Sequence, residues 1–512
     1  MNHLVILPIL IPLIAGASLL LVYRYKTGRQ RSISVTSTLL LTVLGGWALF
    51  TAGSGEHLLY HPGNWPAPFG IVLVLDRLSA LMLALTAGLA LFCVLYACRG
   101  IDRQGAHFHA LFQFQLAGIN GAFLTGDLFN LFVFFEVLLI ASYALLLHGG
   151  GRARSRAGLH YVIINLVGSA LFLMALGILY GLTGTLNMAD LAIAIANTGD
   201  GDRALLTGAS MLLLVVFGIK AAILPLLFWL PRAYSAASAP VAALFAIMTK
   251  VGIYAIIRVF LLVFGLGDSP ANATAWAWIW PLALLTLALG GVGVLGSASL
   301  RTKTAYLVIV SVGTLLATLS FMTTTSLAAA LFYLIHSTCM TAVFFLLADL
   351  VGRHREQGYD GFTGISPVAH RWLLGTLFLV AAVSLAGLPP FSGFVSKLWI
   401  LQATTGEDLG FWLWAVLLAA SLLTITAVSR AGSSWFWKPG ELSAPAEPLD
   451  RSCFALVWLM TGVSIVLSLL AEPVGQYLLL TAEQLHAPEH YVQAVLPEAF
   501  SHYLSQLQET AP

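Results

Sequence analysis

The sequence predicts an all-α polytopic membrane protein with about fourteen transmembrane helices, and three observations predict it. Of the 512 residues, 59% are hydrophobic and only 9% are charged, against roughly 25% charged in an ordinary soluble domain. Apolar runs of roughly 20 residues, the length a helix needs to cross hydrocarbon, recur along the whole chain. The basic residues collect in alternate loops between those runs, as the positive-inside rule requires. Mean hydropathy is +0.91. A soluble globular enzyme and a disordered chain are excluded. A net charge of +2 also offers no basic stripe for a nucleic acid. Cys93, Cys98, Cys339 and Cys453 lie in apolar stretches without a CxxC pair, so neither a disulfide scaffold nor a zinc or iron–sulfur site is indicated.

The first span is expected at residues 4–23. Arg24, Lys26, Arg29 and Arg31 follow it rather than precede it. No small-residue cleavage site ends the run, so it reads as a span and not a signal peptide. Spans two and three, at 32–52 and 72–98, complete an N-terminal group over 1–107, and Arg99 and Arg103 follow the third. The next five spans (108–126, 128–148, 160–182, 206–230 and 238–262) form a unit over 108–262. Arg152, Arg154, Arg156 and Arg232 lie on the Arg24 side of this unit. Asp190, Asp200, Asp202 and Arg203 lie opposite.

Five further spans (275–297, 303–321, 327–349, 371–402 and 410–430) form a unit over 275–430. Arg301, Lys303, Arg353, Arg355, Arg371 and Arg430 continue the basic side, and Asp268, Glu407 and Asp408 the opposite one. The last span, 453–471, follows Lys438 and Arg451. It belongs with the tail to a segment over 431–512. Residues 472–512 carry Glu472, Glu483, Glu489, Glu498 and Glu509 but no Lys or Arg, and read as a surface helix or docking tail. Eighteen of the 24 basic residues thus share one side. That side is expected in the cytoplasm of a bacterial inner membrane, with both termini periplasmic. No transit peptide or lipidation motif is present.

With Arg203 and, at a span edge, Arg77 on the opposite side, four basic residues remain inside spans: Lys220, Lys250, Arg258 and Lys397. Glu136 is the acid deep in a span, and His336 lies near the middle of the eleventh. A charge at mid-bilayer costs about 2.5–3.5 kcal/mol on the lenient scale. Such residues must therefore face protein or a wetted cavity. They serve either as ion pairs gluing helices or as a chain of titratable groups crossing the protein. Lysine suits the second role because its proton affinity responds strongly to burial and to a neighbouring carboxylate. Histidine suits it because its ordinary pKa is about 6.5. Pro225 follows Lys220 closely. Gly387, Pro389, Pro390 and Gly393 precede Lys397. Two spans, the seventh and the twelfth, are therefore expected as broken helices beside a lysine, and broken helices at membrane depth line cavities. Lys250, Tyr254 and Arg258 share one helical face. Tyr254 is expected to pack, and Arg258 to be structural and to snorkel.

These motifs carry a resemblance. Phe134-Phe135-Glu136, the Lys220 run ending Phe228-Trp229-Leu230-Pro231, Ala239-Pro240 with Lys250 downstream, and Gly387-Leu388-Pro389-Pro390-Phe391-Ser392-Gly393-Phe394 before Lys397 resemble one superfamily. It comprises the antiporter-like subunits shared by Mrp-type cation/proton antiporters and the membrane arm of respiratory complex I and related hydrogenases. The opening Met1–Pro12, the run Ala305–Gly313 and a lysine at 397 are most similar to the D subunits of Mrp (Pha, Mnh) antiporters.

The resemblance implies two five-span units of inverted topology. It implies a Glu136–Lys220 ion pair, Lys250 and His336 as a central proton wire, and Lys397 as the terminal exchange group. Ser311 stands where many relatives carry His, which leaves the stretch from Lys250 to His336 to water or hydroxyls. No counterpart of Glu136 occurs in the second unit. The implied function is the proton-translocating subunit of a multi-subunit Na⁺ (or K⁺)/H⁺ antiporter. Its partners would be other subunits, protons, monovalent cations and the bilayer, with no nucleic acid, cofactor, resident metal or covalent chemistry. Three rivals are a proton-pumping subunit of a complex I-like oxidoreductase or hydrogenase, a free-standing carrier and an assembly scaffold.

Overall fold

A computed structural model describes residues 3–21, 27–199, 201–267, 269–355, 361–362, 368–437 and 448–510. Arg24, Lys26, Asp200, Asp268 and Lys438 lie outside these residues. Helices dominate because hydrocarbon offers backbone N–H and C=O groups no other partner. Each expected span contains helix. Among the described residues, eleven helices are long and apolar enough to cross a membrane, and Leu7–Leu21 and Arg371–Ala386 are shorter apolar helices.

The N-terminal group comprises α1 (Leu7–Leu21), α2 (Thr27–Ala52) and α3 (Arg77–Ala97). The third span starts later than its apolar run suggests. Leu73–Leu75 (β2) pairs antiparallel with Leu58–Tyr60 (β1), and Asp76 then caps α3 by accepting the Ser79 N–H at 2.9 Å. The first five-span segment holds α4 (Phe108–Leu124), α5 (Leu128–Leu147, capped by Asp127), α6 (Arg152–Thr183), the short α7 (Met188–Ala196), α8 (Arg203–Ala221), α9 (Trp229–Ala236), α10 (Ala239–Phe245) and α11 (Met248–Arg258). The second holds α12 (Pro270–Gly296), α13 (Leu300–Leu319), α14 (Thr324–Arg353, opened by a Thr323/Ser326 capping box), α15 (Arg371–Ala386), α16 (Ser392–Ala403) and α17 (Gly410–Gly432).

The chain ends in α18 (Arg451–Leu469), α19 (Ala471–Leu485), α20 (Pro488–Val495) and α21 (Pro497–Thr510). The expected tail is seated on the chain's own beginning. Gln484 accepts the Arg77 N–H at 3.1 Å and donates to the Gly55 carbonyl at 2.9 Å. Leu478 and Ala482 of α19 are fully buried.

The centre of the body is the span made of α10 and α11, whose apolar window is 100% buried, flanked by α13 and α14 at 89% each. Lysines placed there face protein, not lipid. Helices α2, α6, α12, α17 and α18, whose windows are 33–39% buried, form the periphery.

Candidate functional site

Helix α8 stops at Ala221 because Ala222 adopts a left-handed conformation (φ 62°) and Pro225 cannot continue the ladder. Other groups satisfy the opened backbone. Leu224 N–H donates to Thr286 Oγ1 at 2.9 Å, and Trp229 Nε1 donates to the Ile219 carbonyl at 3.1 Å. Lys220 lies in the last turn before this break and is 8% exposed. Its Nζ donates to Asn165 Oδ1 at 3.1 Å.

Glu136, half-buried on α5, accepts from the Ser169 hydroxyl, and Ser169 also donates to the Asn165 carbonyl at 3.0 Å. The implied direct ion pair is therefore replaced by a bridge. Helix α6 packs against both α5 and α8, and its Asn165 and Ser169, one turn apart, stand between the two charges. Sequence reasoning missed both residues. The available signal was an amide and a hydroxyl at i and i+4 in the middle of an apolar run.

Lys250 is fully buried in the first turn of α11. A tightened turn separates α10 from α11, with i→i−3 bonds from Ile247 N–H to Leu244 (3.1 Å) and from Lys250 N–H to Ile247 (2.9 Å). Three lysines thus lie beside three interruptions, and the middle one was not anticipated. Lys250 Nζ donates to Ser311 Oγ on α13 at 2.8 Å and to Thr249 Oγ1 at 3.4 Å. No carboxylate pairs with it among the described residues. Gly252, on the same turn, lets α11 lie on the backbone after Lys220. A Cβ there would sit 2.6 Å from the Ala221 nitrogen. A small cavity lined by Lys220, Asn165, Met248 and Val251 occupies this junction.

Ser311 opens on a second cavity, shared with Tyr333, His336, Ser337, Thr341 and Lys397. Its polar lining gives a water the partners it requires. His336 is 3% exposed, and its Nδ1 lies 2.8 Å from Ser392 Oγ. Ser392 Oγ in turn lies 2.7 Å from Ser464 Oγ of α18, which is 2.6 Å from Ser384 Oγ. Lys397 is half-buried on α16. Its Nζ donates to the Ala386 carbonyl at 2.8 Å, one of the C-terminal carbonyls that α15 leaves open where Gly387 turns left-handed (φ 81°). The five predicted residues therefore form two clusters. Glu136 and Lys220 are joined through α6. Lys250, His336 and Lys397 are joined through Ser311 and the cavity. Hydroxyls and water both donate and accept, so this set can hand a proton along.

Arg258 does not snorkel. It is 4% exposed, and its Nη1 and Nη2 reach the two Asp76 oxygens at 2.7 and 2.9 Å. Burial alone would raise the Asp76 carboxyl, but the Arg258 charge and hydrogen bond hold it well below the usual carboxylate range. Tyr254 packs as expected: its hydroxyl donates to the Phe123 carbonyl at 2.7 Å. Lys303, counted among the loop cations, is 2% exposed and donates to the Val294 carbonyl at 2.7 Å. Cys98, Asp102 and His109 converge as potential metal ligands. Arg31, however, occupies both Asp102 oxygens at 2.6 and 2.8 Å, so the group is an ion-pair junction.

The profile of the family described as NADH:quinone oxidoreductase/Mrp antiporter, transmembrane, matches residues 125–424. A probable K(+)/H(+) antiporter D subunit of Rhizobium meliloti (strain 1021) is 43% identical over 529 residues, covering 97% of this chain and 98% of the relative. The Na(+)/H(+) antiporter D subunit of Bacillus subtilis (strain 168) is 39% identical over 510 residues, covering 97% and 100%. A chain of the Mrp complex from Dietzia sp. DQ12-45-1b superposes with a TM-score of 0.86 at 25% identity, covering 97% of this chain and 100% of that one. A shared profile, end-to-end identity and a shared arrangement of helices place the chain in the NADH:quinone oxidoreductase/Mrp antiporter family, among its antiporter D subunits.

Proposed function

We propose that this chain is the proton-translocating subunit of a multi-subunit monovalent cation/proton antiporter. It acts as a transporter subunit rather than an enzyme, in a bacterial inner membrane with both termini periplasmic. Protons pass by way of water between Glu136, held by the Ser169 hydroxyl, and Lys220, held by Asn165 Oδ1, then across the Gly252 junction to Lys250, through Ser311 and water to His336, and on to Lys397. One observation carries this reading. The buried Lys250 ammonium donates to a serine that opens on the cavity holding His336 and Lys397. The buried cations outside the path differ: Arg258 is held by the Asp76 carboxylate and Lys303 by the Val294 carbonyl, and neither lines that cavity. The names of the relatives support a cation/proton exchange coupled to this path. Spans 4–8 and 9–13 act as two inverted units, and the fourth member of each is broken beside a lysine.

The test is antiport by the whole complex in vesicles, read as the pH change on adding Na⁺ or K⁺. Lys220→Ala abolishes exchange while the complex still assembles, and Glu136→Gln does likewise. Normal exchange in an assembled Lys220→Ala complex would remove Lys220 from the mechanism.

A further inference from the structure

Away from the relay, the ends of four helices border an open basin of about 1270 Å³. Six arginines line it: Arg152, Arg154 and Arg156 from α6, Arg232 from α9, Arg301 from α13 and Arg353 from α14. Among the described residues Asp349 is the one carboxylate in the lining, and it is already engaged. It accepts from Arg301 at 3.1 Å, from Arg353 at 2.7 Å and from the Tyr96 hydroxyl at 2.9 Å. Arg154 is fixed by the His148 and Ala236 carbonyls at 2.5 and 3.1 Å. Arg152, Arg156 and Arg232 are exposed, and their guanidinium groups hydrogen-bond to none of the described residues.

The helix starts add to this charge. The first turn of a helix favours anions, because its free N–H groups form the positive end of the dipole. Helix α6 opens on Gly151 with no side-chain cap, no acid in its first turn and arginines at 152, 154 and 156. Helix α13 opens with Arg301 and again no acid in its first turn, where the Ser299 hydroxyl caps the Thr302 N–H. Two positive helix ends therefore meet a ring of guanidinium groups. The positive-inside rule asks only that these loops be basic. It does not ask that arginines from four helices surround one concavity in which the described residues supply a single, saturated carboxylate.

We propose that this basin binds phosphate oxyanions. Guanidinium groups match phosphate geometry with paired N–H donors, and the start of α6 adds free backbone N–H groups. The volume accommodates more than one phosphate group. Two sources share this chemistry: a soluble polyphosphate, or the headgroup of an anionic phospholipid. For the second, Leu159, Ile163, Leu166 and Val167 continue as an exposed apolar strip of α6 beyond Arg156. The basin shares no residue with the relay, so the proposal stands or falls independently of it.

The test uses the purified complex in phosphatidylcholine nanodiscs, with inorganic pyrophosphate titrated by calorimetry and added cardiolipin followed by native mass spectrometry. At least one probe binds the parent complex. The double variant Arg152→Gln/Arg156→Gln, checked for assembly by size-exclusion chromatography, binds it about tenfold or more weakly, as expected for lost charge-assisted hydrogen bonds. Arg232→Gln, a single change on another helix, weakens it in the same direction. Exposed Arg103, outside the basin, serves as the control, and Arg103→Gln binds like the parent. Binding of pyrophosphate assigns a soluble ligand. Binding of cardiolipin with pyrophosphate silent assigns the headgroup. Failure of both probes on the intact parent complex overturns the proposal, and is the result an acidic segment of a partner subunit filling the basin would give. Equal weakening by Arg103→Gln also overturns it.

Discussion

The two ends of α11 hold cations under opposite conditions. At one end Arg258 is clamped by both oxygens of Asp76. Two opposite charges leave water together there, and the guanidinium keeps its proton throughout the accessible pH range. Eight residues away, Lys250 is just as deeply buried and has only hydroxyls for partners. Nothing there fixes its charge. The Arg258–Asp76 contact ties α11 to the start of α3, whereas the Lys250 contact tolerates both protonation states because Ser311 can accept from an ammonium and donate to an amine. Burial without a counter-ion does not by itself set Lys250 apart, since Lys303 shares it; the hydroxyl partner that opens on the shared cavity does.

Substitutions at the two ends should separate the two conditions. The largest effect is expected from Lys250→Arg. It preserves the charge but removes the releasable proton, and should lower exchange by about a hundredfold or more, the scale of a lost proton-transfer group. Complex yield should stay unchanged. Retained exchange in vesicles would make Lys250 a second structural cation. Arg258→Met leaves Asp76 buried and unpaired and should cost about 3–5 kcal/mol of stability, read as a lower thermal unfolding midpoint. Arg258→Met with Asp76→Asn should recover part of that loss. Asn165→Leu removes the acceptor from Lys220 and should slow exchange about tenfold, with assembly retained. Ser392→Ala should have the smallest effect. The loss of one neutral hydrogen bond to His336, about 1 kcal/mol, should slow exchange several-fold and leave the Lys250→Arg phenotype unchanged.

The charged candidates are legible in the sequence because each is an anomaly in an apolar run: Glu136, Lys220, Lys250, His336 and Lys397 all stand out by their cost. Two of the three helix interruptions were legible because Pro225, Pro389 and Pro390 announce them. The third, at Ala246–Ile247, carries no proline or glycine and arises from a local tightening of hydrogen bonds that composition does not encode. Asp76 was hidden because Leu73–Leu75 is as apolar as a helix start, although pairing with Leu58–Tyr60 makes it a strand. Neutral connectors such as Asn165, Ser169 and Ser464 leave a faint trace, since a hydroxyl or amide costs little to place in a helix. Lys303 was misplaced because its neighbour Arg301 belongs at a span end, while its own side chain turns inward to Val294.

Ser464 has one more implication. It belongs to α18, beyond the region 125–424 that the family profile matches, yet it completes the hydroxyl cluster on the His336 imidazole. A polypeptide clipped before residue 450 would retain each of the five candidate groups and still leave the Ser384 and Ser392 hydroxyls without their Ser464 partner. The last span, α18, is in this sense a lid over the proposed path, and where a profile stops is not where the insulation stops.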